Sequence, residues 1–159
     1  MKIKVELKLI ILVIAGLAVI GMGYLTPRAQ ETAHNSRSVW DGVYTEEQAK
    51  RGEEIYSREC ASCHGAELSG GEEAPALAGP GFLANWEGLS LGELSERIRV
   101  SMPPNRPTRL SRPQVADLLA HMLKVNNFPA GKTELERETE ALKQIRIEAT
   151  KPKANSGFD

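Results

Sequence analysis

The sequence predicts an all-α fold, on three observations. Three capping boxes stand along it, Thr45 with Gln48, Ser90 with Glu93 and Ser111 with Gln114, each followed by apolar residues at helical spacing. No alternating apolar–polar run is long enough for a dependable strand. Two stretches dense in Gly, Ala and Pro, residues 65–89 and 102–109, separate the helical segments. Loops of that size belong in a small domain only if they wrap something that supplies missing core.

The chain of 159 residues opens on a segment unlike the rest. Lys2, Lys4 and Lys8 precede an uncharged run of 17 residues, Leu9 to Leu25, and Pro27, Arg28, Ala29 and Ala33 follow. A basic start, an apolar centre and small residues beyond it describe an export signal. The run is long for the core of a cleaved signal and short for a membrane span, so residues 1–33 are expected to be either a signal peptide or a retained N-terminal anchor helix. The remainder is expected outside the cytoplasm, in the periplasm or on the outer face of the cytoplasmic membrane. Membrane contact is expected only through the N-terminal segment, if it stays uncleaved. The formal net charge is −1, with no basic stripe, which argues against a nucleic-acid partner. Beyond residue 33 the chain keeps 16 basic and 19 acidic residues, about −3.

Residues 34–44 read as a linker arm ending in the apolar, aromatic Val39-Trp40-Asp41-Gly42-Val43-Tyr44, expected to lie extended against the domain. The helix after Thr45 carries Ala49, Gly52, Ile55 and Tyr56 on one stripe. The one after Ser90 carries Leu91, Leu94 and Ile98. The one after Ser111 tolerates Pro113 in its first turn, carries Val115, Leu118, Leu119 and Met122, and ends at Asn126-Asn127 before Pro129. Residues 45–128 therefore form the expected domain, and 129–159 a C-terminal extension. In that extension, 131–149 are charged and weakly helical, with Leu135, Leu142 and Ile145 as anchors, and 150–159 are expected to be disordered.

The chemistry sits at Cys60-Ala61-Ser62-Cys63-His64. C-x-x-C-H is the pattern of covalent haem attachment. Two thiols three residues apart lie on nearly one face of a helical turn, where both can add to the vinyl groups on one macrocycle edge, and the next residue, His64, reaches the iron. Three other readings fit less well. A thiol–disulfide centre belongs beside a βαβ pattern, which is absent. A zinc site needs further ligands, and His34 and His121 stand at no ligand-like spacing. A disulfide this short would stabilise little.

At these residues the chain resembles the small single-haem class I cytochromes c, over roughly Thr45 to Phe128. The resemblance implies a class I cytochrome c fold, with helices and long loops wrapped around one covalent haem c. Gly52 and Tyr56 match that family's close helix–helix contact. Val39 to Tyr44, Gly79-Pro80 and Ile98 to Pro103 resemble bacterial members that accompany periplasmic dehydrogenases. From the sequence, Met102 is the candidate distal ligand: it lies 38 residues after His64 and opens a loop stiffened by Pro103 and Pro104. The resemblance further implies that the Pro75 carbonyl orients His64, that Leu77 packs on the haem and that Trp86 bonds a haem propionate. Met122 reads as core and His121 as a surface residue off the apolar stripe.

With His64 and Met102 as axial pair, no coordination position is left for O₂ or peroxide. The expected role is single-electron transfer between redox proteins, such as a periplasmic dehydrogenase and a terminal oxidase, rather than catalysis. The alternatives are an electron-accepting subunit of a dehydrogenase complex and a haem enzyme or sensor in which Met102 gives way to a small ligand. The rim of the site reads as small, uncharged residues bordered by Arg106, Arg109 and Arg112 on one flank and Glu67, Glu72 and Glu73 on the other.

Overall fold

The computed structural model describes residues 37–152. The expected export or anchor helix lies outside the described residues, and so does most of the tail from residue 150. Among the described residues no helix is long and apolar enough to cross a membrane.

Each of the three capping boxes opens a helix. Thr45 precedes α1 (Glu46–Glu59), and its hydroxyl accepts from the Gln48 N–H at 3.2 Å. The reciprocal half of that box is missing. Gln48 is buried, and its amide instead pairs with both backbone groups of Leu135, donating at 3.1 Å and accepting at 2.7 Å. Next come a single turn, α2 (Ala61–His64), and then α3 (Gly79–Trp86). In α4 (Leu91–Ser101) the box is complete: the Ser90 N–H donates to the Glu93 carboxylate at 2.7 Å, and the Glu93 N–H donates to the Ser90 hydroxyl at 3.2 Å. At the start of α5 (Arg112–Val125), Gln114 accepts from the Ser111 N–H at 3.0 Å.

α1 and α5 make the most extensive contact between helices. Gly52 explains how close they come. A Cβ there would sit 1.9 Å from the Asp117 carbonyl oxygen, so only glycine lets the two backbones meet. α4 packs on α5 as well. With neighbours on two sides, α5 buries Ala116, Ala120, His121 and Leu123 in addition to its expected stripe. This corrects the surface placement of His121, which is 7 % exposed and lies against the Tyr56 ring, centroids 5.4 Å apart. A stripe read from one face of a helix misses what a second neighbour covers.

Three segments differ from expectation in form. α3 occupies part of the stretch expected to be loop. Its two glycines obscure it in sequence, yet Pro80 suits a first helical turn. The Asn126 side chain, expected only to end α5, accepts from the Gly79 N–H at 2.9 Å and donates to the Leu77 carbonyl at 3.0 Å. The arm at 39–44 is not extended. Val39–Asp41 form a 3₁₀ turn closed by Gly42 at φ +63, and the Tyr44 hydroxyl donates to the Phe128 carbonyl at 2.8 Å. The 129–152 segment contributes to the same core. Leu135, Leu142, Ile145 and Ile147 are all buried, with only one short helix, α6 (Thr139–Leu142). A two-residue strand, β2 (Ile145–Arg146), runs parallel to β1 (Arg37–Ser38). No periodicity signals so short a pair.

Candidate functional site

The Cys60–His64 motif sits where α1 stops. Cys60 leaves the helical region at φ −127 while its N–H still reaches the Tyr56 carbonyl at 2.9 Å. The Cys63 and His64 N–H groups both point back to the Cys60 carbonyl, at 3.1 and 3.0 Å. These bonds wind α2 and place both cysteines on one turn. Gly65, at φ +78, ends it. Cys60 is half-buried, Cys63 exposed and His64 buried.

The loop after the motif folds back under His64. The Gly70 N–H donates to the His64 carbonyl at 2.8 Å, Gly71 to Ala74 at 2.9 Å and Leu77 to Leu68 at 2.8 Å. This fold carries the Pro75 carbonyl to 2.8 Å from His64 Nδ1. A carbonyl only accepts, so Nδ1 carries the proton and Nε2 keeps its lone pair for a metal. Gly70 makes the approach possible. Its φ is +75, and a Cβ there would meet the Ala76 nitrogen at 2.5 Å and the Pro75 carbonyl carbon at 2.8 Å. The Tyr56 hydroxyl donates to the Gly65 carbonyl at 2.5 Å and fixes the other end of the turn.

Met102 caps α4, its N–H donating to the Ile98 carbonyl at 2.9 Å. Its side chain is half-buried against the core, and so are those of Cys60, Ala61, Leu77, Leu83 and Trp86. Two cysteines on one turn, followed at once by a buried imidazole whose Nδ1 is held by a carbonyl, are the donor set that covalent haem requires, so the residues of the motif fit a haem. The Cys60 thiol is pushed up to about 11, by burial first and then by Glu59 and Cys63. Disulfide exchange needs a thiolate, and this environment opposes one. Among the described residues no three His, Cys, Asp or Glu side chains come together as a metal site.

Sequence reasoning missed Gly70, the Tyr56 hydroxyl and Glu59. The Gly70-Gly71 pair was a usable signal, since adjacent glycines mark tight backbone. Glu59 offered none, because its partners Arg106 and Arg109 lie 47 and 50 residues away. Those two arginines are therefore not a free cationic border, and Arg112 pairs with Glu138 at 3.2 Å.

A protein-family profile described as "Cytochrome C oxidase, cbb3-type, subunit III" matches residues 47–122. Residues 47–122 match a c-type cytochrome domain. No curated protein matches the sequence. Among solved structures, the sulfane dehydrogenase SoxCD from Paracoccus pantotrophus aligns at 20 % identity with a TM-score of 0.43, over 67 % of this chain. The alignment spans 61 % of that protein's chain, so this one covers about three fifths of the length it matches. The helical architecture agrees with a cytochrome c fold, and a cytochrome domain implies haem and electron transfer.

Proposed function

We propose that the cytochrome domain is a mono-haem electron carrier, with haem c attached through Cys60 and Cys63 and with His64 and Met102 as axial ligands. The observation that best supports this is the 2.8 Å contact between His64 Nδ1 and the Pro75 carbonyl, which leaves a lone-pair nitrogen on a buried imidazole one residue past the cysteine pair. When bound, haem c supplies one-electron iron chemistry. The chain's own residues do the rest. The Pro75 carbonyl orients His64 and strengthens it as a donor. The Met102 thioether is a soft ligand that favours the reduced state and raises the potential. Leu77 supplies an apolar wall, and Trp86 an indole for a propionate. With two side chains as axial ligands, the domain passes electrons without binding a substrate at the metal.

The work is done on the exported side, where residues 1–33 direct the chain as a signal peptide or anchor. The partners are redox proteins, a periplasmic dehydrogenase as donor and a terminal oxidase as acceptor. Ser62, Cys63, Ala66 and Pro104 are exposed, small or rigid, and uncharged. With Arg106 and Arg109 engaged by Glu59, a brief, mainly apolar encounter of the redox kind fits this rim, with modest charge steering.

Redox titration of the purified holoprotein tests the proposal. One reversible one-electron wave is expected, with a reduced spectrum that carbon monoxide leaves unchanged. Stoichiometric carbon monoxide binding would indicate instead an open axial position and a sensor or enzyme.

A further inference from the structure

The geometry points to Glu59 as a positioning residue for Met102: through Arg106 and Arg109 it pins the 103–109 loop to the end of α1 and so holds the thioether in place for ligation. The inference rests on the reading of Met102 as the second axial ligand.

Glu59 is the last residue of α1 and immediately precedes Cys60. A carboxylate there faces the negative end of the helix dipole. It is also nearly buried, its side chain 7 % exposed. Both conditions oppose a negative charge unless cations compensate for it. Arg109 Nη2 lies 3.2 Å from Oε1, Arg106 Nη2 3.4 Å from Oε2 and Arg58 Nε 3.9 Å from Oε1. Arg58 belongs to the same helix, whereas the other two arrive from the loop that follows Met102.

That loop has little else to hold it. Residues 104–109 are exposed, and Thr108 sits at φ +63. The Arg106 N–H bonds Pro103 at 2.9 Å, Arg109 bonds Arg106 at 3.4 Å and Thr108 bonds Arg99 of α4 at 3.1 Å. Among the described residues, every hydrogen bond from 103–109 that reaches beyond the loop and α4 ends on Glu59. The carboxylate thus joins the segment bearing the cysteines to the segment bearing the methionine. An ordinary surface ion pair would contribute little. Here only the arginine ends are exposed, at 52 % and 48 % of their side chains, and the acid they share is not.

The test uses the full holoprotein with Glu59→Gln and, separately, the double variant Arg106→Gln/Arg109→Gln, whose changes are on the surface and leave the core intact. Three quantities are read: covalent haem content, the far-red ferric band of methionine-to-iron charge transfer against temperature, and the rate of carbon monoxide uptake by the reduced protein. Both variants are expected to keep covalent haem and helical content, to lose the band at a lower temperature than their helices melt, and to take up carbon monoxide that the wild type excludes. Arg106→Lys/Arg109→Lys, which keeps the charge, is expected to restore most of the band. Wild type with the band and variants with unchanged band and uptake would overturn the clamp alone. The same holds if the band is lost only together with the helices. Wild type without the band would overturn the Met102 reading and the clamp with it.

Discussion

The 65–78 loop and the 103–109 loop both adjoin the haem motif, yet they are held by different means. The first is laced by backbone hydrogen bonds, Gly70 to His64, Gly71 to Ala74 and Leu77 to Leu68, and is closed by a glycine that nothing larger can replace. The second bonds α4 once, through Thr108, and among the described residues reaches past α4 only through two arginines on one nearly buried carboxylate. Backbone contacts between neighbours in sequence are short, numerous and indifferent to salt. Long side chains reaching one acid are few and easily released. The difference implies a rigid His64 side and an adjustable Met102 side, so damage to the two sides should have different consequences.

The largest expected effect is on the rigid side. His64→Ala should abolish folded holoprotein, because it removes the group around which the Pro75 loop closes. The check is the yield of haem protein in the soluble fraction, and a normal yield would place the ligand elsewhere. Gly52→Val should cost about 3 kcal/mol by overpacking the crossing of α1 and α5, where a Cβ already meets the Asp117 carbonyl at 1.9 Å. Chemical denaturation measures that loss, and a loss below about 0.5 kcal/mol would mean the helices separate easily. Met102→Ala should be milder: a folded haem protein with a lowered potential and an altered ferric spectrum. An unchanged potential would remove Met102 from the ligand set.

A pH effect of smaller size should come from His121, packed against the Tyr56 ring. Its pKa is held below the ordinary value by burial first and then by Lys124, against an opposing pull from Glu53. Because the folded value is depressed, the unfolded chain binds more protons at mildly acid pH. Stability is therefore full above the ordinary histidine value of about 6.5 and falls as pH drops from there through the folded value. His121→Gln should flatten that part of the stability profile, and an unflattened profile would assign the acid sensitivity to other groups. The smallest effect should be that of Arg112→Ala, which breaks an exposed pair with Glu138 and should cost less than about 0.5 kcal/mol.

What could be read from the sequence follows the same division. Capping boxes, helical stripes and C-x-x-C-H are local patterns, and they located α1, α4, α5 and the motif. Pro75 was named by resemblance, and its carbonyl lies at hydrogen-bonding distance from His64. Relations across long separations left no local trace. Gln48 gave up its capping role to hold Leu135, and Asn126 reached back to Gly79. Glu59 found partners 47 and 50 residues on. His121 was misplaced for the same reason, since its burial depends on α1 and the Tyr56 ring rather than on the pattern of its own helix. The C-terminal segment looked like an appendage because its apolar residues are sparse. Four of them nonetheless complete the core.

The most direct measurement is haem retention after denaturation. The purified protein, unfolded and extracted with acidified organic solvent, should keep one haem per chain, and Cys60→Ala/Cys63→Ala should yield none. Haem that extracts freely from the wild-type chain would contradict covalent attachment at Cys60 and Cys63, and with it the electron carrier proposed here.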